Sequence, residues 1–259
     1  MNKIFALAGV VIKELYRRKD FYVLFFLTAL LTLGAGAINF FHDDKIVRIV
    51  KDACLLLIWI SALVITITTT ARQIPAEREA RTIFPLLAKP VSRAQVILGK
   101  FLGCWLASGV ALVVFYLFFA VVTGSHEHIW PLVIYFQAVW MQWFMLGIVT
   151  AMVLLGSIYF AAPSSTTTIS FITVVGILVL GTHLNTIALS QPQPIQSILS
   201  AIYFAMPHLE LYDLRDFVVY NQPAVPWLAM AEATAYAIVW TVIFLFLAWL
   251  GFRRKGLTT

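Results

Sequence analysis

Apolar residues in this chain are gathered into blocks of roughly 20, the length at which a helix rising about 1.5 Å per residue crosses about 30 Å of hydrocarbon. The blocks cover 21–41, 53–71, 101–123, 130–160, 167–188 and 229–252. A soluble core cannot absorb them. Of 259 residues, 61% are hydrophobic and 12% charged, against about 45–50% and about 25% in ordinary soluble domains. The bilayer is the solvent, and the expected fold class is all-α integral membrane, with six transmembrane helices in a single transmembrane domain over 1–259.

The charges supply the orientation. A net charge of +6 and a pI near 9.4 would raise the question of nucleic acid in a soluble protein, but here the basic residues flank apolar blocks, where they set topology instead. No nucleic-acid partner is expected. Fourteen of the eighteen Lys and Arg fall in 1–20, 72–100 and 253–255, and only Lys45, Arg48, Lys51 and Arg215 fall on the other side. Both termini and the 72–100 stretch are therefore expected in the cytoplasm. A short apolar run at Ile4–Ile12 looks like part of a signal peptide, but Lys13, Arg17, Arg18 and Lys19 stand where cleavage would be needed, so it is read as retained. Ile4, Leu7, Ala8, Val11 and Leu15 recur at helical spacing, so residues 1–20 read as an interfacial helix, with a short buried helix as the alternative. In the outer segment 189–228, Ile195, Ile198, Leu199, Ile202 and Met206 form one stripe between Pro194 and Pro207, the pattern of an interfacial or re-entrant helix.

Motif information is concentrated between the second and third blocks. Glu77, Arg78, Glu79, Arg81 and Thr82 are followed by Ile83, Phe84, Pro85, Leu86 and Leu87, then by Pro90, Val91, Ser92 and Arg93, with Gly99, Lys100 and Gly103 beyond. Opposite charges stand at helical-neighbour distance, and the apolar residues offer a face for a partner's groove. Pro85 breaks the expected helix, Pro90 ends it, and Ser92 is placed to cap the next one. The stretch resembles the ABC transporter type-2 permease family, whose pattern runs E-x-E-x-x-T-x-x-x-L-L-x-x-P-[VI]-S-R with G-K-x-x-G soon after. Pro207, His208, Leu209, Glu210, Leu211, Tyr212 and Asp213 further resemble the outer segment of small single-domain permeases such as the one serving nitrous oxide reductase maturation.

The resemblance implies a permease subunit of an ATP-driven exporter of the bacterial inner membrane. It would work as a dimer, with a second copy or a paralogue, and with separate ABC ATPase subunits that bind ATP and magnesium. The implied coupling helix, docking on the ATPase, draws on Glu77, Arg78, Glu79, Arg81, Thr82, Phe84, Leu86, Leu87, Pro90, Ser92 and Arg93. Gly99 and Gly103 make a G-x-x-x-G step that suits helix packing, within the subunit or across a dimer.

The residues argue against chemistry in this chain. Gly99–Lys100 is no nucleotide motif, because Ala94 stands where a phosphate-loop glycine is needed and Phe101 where Ser or Thr would hold magnesium. No cofactor or metal is expected. His126, Glu127 and His128 lack the spacing of a zinc-protease helix, and His42 would join them only by chance of folding. Asn39, Gln137, Gln142, His183, Asn185 and Glu232 fall mostly near an interface, where polar groups read as anchors rather than a substrate path. Cys54 and Cys104 read as packing residues near opposite membrane faces. The competing reading is an ATP-independent membrane-embedded enzyme or an assembly scaffold.

Overall fold

The computed structural model describes residues 8–13, 22–23, 26, 29–30, 33, 44–79, 92–127, 130–160, 162–190 and 192–254, and among them there is no strand. The helices in chain order are α1 (Asp44–Arg72), α2 (Pro75–Glu79), α3 (Arg93–Glu127), α4 (Leu132–Tyr159), α5 (Pro163–Ser190), α6 (Ile195–Ala205), α7 (Arg215–Val219) and α8 (Trp227–Arg254), with a 3-10 turn at Leu209–Tyr212. Of these, α1, α3, α4, α5 and α8 are long and apolar enough to cross a membrane. The block at 21–41 lies largely outside the described residues, although 22, 23, 26, 29, 30 and 33 are helical. The surface helix read over 1–20 is described only at 8–13, which is helical and buries Ala8 and Val11.

The helices overrun their apolar blocks. Asp44–Asp52, which falls between the apolar blocks 21–41 and 53–71, forms the first turns of α1. Likewise α3 starts at Arg93 rather than at the edge of the apolar run, and extends for 35 residues. The reason is that lipid dictates only the apolar stretch, while a charged turn in the interface keeps its backbone bonds most simply by continuing the helix. Breaks come where proline demands them: Pro163 opens α5 and Pro75 opens α2, positions where the fixed φ suits the first turn and the missing N–H is no loss.

α4 lies at the centre, against α1, α3, α5 and α8, and Met145, Leu146, Ile148 and Val149 on it are fully buried. Lipid tails are as apolar as leucine, so helix association needs packing and directed bonds rather than a hydrophobic drive. The α3–α4 contact supplies both. Trp105 Nε1 donates to Trp143 O at 2.9 Å, and Trp143 Nε1 returns a bond to Trp105 O at 3.1 Å. The two indoles stack with ring centroids 4.7 Å apart and planes 19° from parallel. Each ring lies on a glycine one turn along the partner helix: a Cβ at Gly147 would stand 3.1 Å from Trp105 Nε1, and one at Gly109 would collide with the Trp143 ring.

The segment after α5 folds over one end of the bundle. Leu209 and Tyr212 are buried, and Tyr212 Oη donates to Ala233 O on α8 at 2.7 Å. Gln137 on α4 braces the chain before α8 through two bonds of 2.9 Å, its Nε2 donating to Val225 O and its Oε1 accepting from Val225 N–H. Asp213 holds Arg215 in a two-pronged pair with a 2.7 Å contact, and the guanidinium lies 5.5 Å from the Trp59 ring centre. Its hydrogen bond to Asp213 raises the Arg215 pKa above the ordinary arginine value, against the lowering effect of burial. The α6 stripe is not turned into the bundle: Ile198 remains 59% exposed.

Replacing Gly109 with Leu drives a side chain into Trp143, an overpacking expected to cost ~2 kcal/mol and to lower the thermal midpoint in detergent by several degrees. Trp105→Phe and Trp143→Phe each drop one N–H donor while keeping a ring. A double-mutant cycle on them should show coupling above ~0.5 kcal/mol; simple additivity would mean that the two indoles act independently.

Candidate coupling site

The polar stretch between α1 and α3 has firmly built flanks. A turn closed by Gln73 N–H to Thr70 O at 3.1 Å carries the chain from α1 into α2. At the other flank Ser92 caps α3 as its position predicts: Ser92 Oγ accepts from Gln95 N–H at 3.3 Å, and Gln95 Oε1 accepts from Ser92 N–H at 3.0 Å. This is a reciprocal capping box, which satisfies two otherwise orphaned donors.

Three cations fasten the flanks to the spanning helices. Lys100, on the first turns of α3 and 3% exposed, donates from Nζ to Glu77 Oε1 at 2.7 Å, Gln73 O at 2.9 Å and Gln73 Oε1 at 3.4 Å. An ammonium has three protons, so each meets an oxygen and the buried charge meets a carboxylate. Arg78 on α2 donates to Ile158 O at the end of α4, at 3.1 Å. Arg93 donates to Phe252 O at 2.9 Å and Arg253 O at 3.0 Å at the end of α8, and lies 5.8 Å from the Phe252 ring centre. The last carbonyls of a helix have no partner within it and carry the negative end of its dipole. Both arginines meet that need.

Of the residues singled out in the sequence, Glu77, Arg78 and Arg93 therefore face inward to helices of the same chain, while Glu79 and Ser92 are exposed. Arg81, Thr82, Phe84, Leu86, Leu87 and Pro90 lie outside the described residues, as does the break read at Pro85. Gly99 is buried. Gly103 lies against the N-terminal helical residues, where a Cβ would stand 2.8 Å from Val11 Cβ and 3.0 Å from Ala8 Cα, so this half of the step packs within the subunit. Cys54 and Cys104 are buried free thiols.

Sequence reasoning named Lys100 only as part of the G-K-x-x-G pattern, without a structural role, and did not single out Gln73. The signal in the sequence was a cation inside an apolar run, and Gln73 and Glu77 stand one helical turn apart 27 and 23 residues before it. Two of the polar residues inside spans, Gln137 and Gln142, resolve as braces. Gln137 holds Val225, and Gln142 Oε1 accepts from Tyr116 Oη at 3.2 Å. His183 and Glu232 are exposed, the former with Nδ1 3.1 Å from Val179 O. Asn39, His42, His128 and the side chains of Asn185, His126 and Glu127 lie outside what is described. In the Pro207–Asp213 stretch, His208 Nδ1 meets Glu210 Oε1 at 3.0 Å.

Residues 26–257 match the family model described as ABC-2 family transporter protein. The chain belongs to this family. It is accordingly a multi-pass membrane protein and the permease component of an ABC transporter, a transport subunit of the kind that partners an ABC ATPase. A comparison with curated proteins finds no match.

The Lys100–Glu77 pair in this ABC-2 permease makes a specific prediction. Lys100→Met removes the cation beside the partly buried Glu77 carboxylate and should cost ~1.5 kcal/mol, the scale of a hydrogen bond to a charged group. Lys100→Met combined with Glu77→Leu removes both charges and should recover part of that loss. Thermal midpoints of the three proteins decide it, and a double variant less stable than Lys100→Met alone would rule out the pair as the fastening.

Proposed function

We propose that this chain is the membrane-spanning subunit of an ATP-driven exporter in a bacterial inner membrane. It pairs with a second copy or a paralogue, and takes ATP and magnesium chemistry from separate ATPase subunits. Both termini and the stretch between α1 and α3 face the cytoplasm. The single transmembrane domain spans 1–259 with six helices, the sixth in the 21–41 block, and carries an interfacial helix at 1–20 and an interfacial or re-entrant helix in 189–228.

The supporting observation is the fastening of the coupling flanks. Lys100 ties α2 to α3, Arg78 ties α2 to the end of α4, and Arg93 ties the start of α3 to the end of α8. A push on the residues between 79 and 92 is thus delivered to three spanning helices through charged hydrogen bonds, which are short and strong. ATPase closure would move those helices as a unit and shift the permease between inward- and outward-open arrangements.

Glu79 separates docking from folding, because it is exposed whereas Glu77 is committed to Lys100. Glu79→Lys should abolish co-purification of the cognate ATPase while leaving the thermal midpoint of the permease within a degree or two. An unchanged complex counts against docking at this loop. Ser92→Cys should be labelled by an impermeant thiol reagent only after the inner face is opened, and labelling of intact cells would invert the topology. Transport that survives removal of the ATPase would return the chain to the competing class, an ATP-independent enzyme or scaffold.

A further inference from the structure

One side of α8 borders three apolar clefts that run into one another. A cleft of about 510 Å³ lies between α4 and the first half of α8, with Trp140 and Ile238 on its walls. Ile238 also borders a second, of about 220 Å³, which reaches Val242 and Leu245. Those two residues in turn line a third, again about 220 Å³, between α8 and the first turns of α3, where Ile97, Leu98 and Trp249 complete the walls. The lower two clefts follow α8 from Ile238 to Trp249, which at a rise of about 1.5 Å per residue is close to half of the ~30 Å hydrocarbon core. This furrow is one monolayer deep.

Its mouth is basic. Arg253 is exposed and its guanidinium lies 5.7 Å from the ring centre of Trp249, which lines the furrow. Arg93 precedes Ala94 of the furrow wall and is held at the same point by its bonds to Phe252 O and Arg253 O. Among the described residues neither guanidinium pairs with a carboxylate. Two cations at the membrane surface above an apolar slot fit a molecule with an anionic head and a hydrocarbon tail.

We propose that this furrow binds an anionic phospholipid of the adjoining leaflet, with one acyl chain along Ile97, Leu98, Val242 and Leu245 and the phosphate on Arg253 and Arg93. The site lies beside the coupling stretch and shares Arg93 with the fastening of α3 to α8, while the Arg253 guanidinium belongs to it alone. Charge complementarity at the mouth distinguishes a bound anionic lipid from the general lipid coat.

The test uses the full chain purified in detergent, mixed with dioleoyl phosphatidylglycerol or dioleoyl phosphatidylcholine, with retained lipid counted by native mass spectrometry. Phosphatidylglycerol should be retained well above phosphatidylcholine, and glycerol phosphate alone should not compete. Arg253→Gln should lower phosphatidylglycerol retention about fivefold, the factor matching ~1 kcal/mol per basic residue near an anionic surface. That variant leaves the Arg93 bonds, which use the Arg253 backbone, in place. Leu98→Trp, which fills the slot from a side chain 40% exposed, should lower retention of both lipids. Equal retention of the two lipids, or retention unchanged in Arg253→Gln, overturns the proposal. So does efficient disulfide cross-linking between copies carrying Leu98→Cys and Phe246→Cys, since it would give the furrow to a second subunit.

Discussion

The Lys100 ammonium is the point on which this architecture turns. A charge this deeply enclosed is stable only where each proton finds an acceptor and the net charge finds an opposite one. Gln73 and Glu77 satisfy that condition together, and in doing so they fix the short helix α2 against the base of α3. With α2 placed, Arg78 reaches the end of α4; with α3 placed, Arg93 reaches the end of α8. The bundle end that carries the family motif is thus organised by directed electrostatics, at a membrane boundary, where polar groups can gather without entering hydrocarbon.

Legibility in the sequence follows the physics of each signal. The spans around 53–71, 101–123, 130–160, 167–188 and 229–252 could be read because lipid imposes a length and a composition on each. Their true ends could not, because a helix such as α1 or α3 continues through the interface on backbone bonding alone, and in Asp44–Asp52 five charges interrupt the Ile and Val residues. Ser92 was readable as a cap because its partner is local. Lys100 was not, because its partners stand 23 and 27 residues away and meet it only after α1 has turned back. Within the motif, sequence assigned Arg78 and Arg93 to a partner protein, while the structure shows each bound to a carbonyl of its own chain. The two roles are compatible, since a side chain that anchors the flank of a loop transmits whatever the loop receives.

The interior polar residues make the same point. Gln137 could be recognised as a polar group in an apolar helix, but its pairing with both backbone atoms of Val225 depends on how the chain returns before α8, which no local pattern encodes. The Trp105–Gly109 and Trp143–Gly147 repeats are visible as identical spacings once the antiparallel register of α3 and α4 is known, and are inconspicuous before it.

That pair of repeats has a mechanical consequence. Each indole is bonded to the backbone carbonyl beneath the other and seated on the other helix's glycine, so the joint between α3 and α4 is a dovetail. Sliding by a single turn would pull both rings from their seats at once. In the proposed stroke these two helices travel as one rod, and the freedom to shear falls to α5, whose apolar window is only 28% enclosed by the rest of the chain.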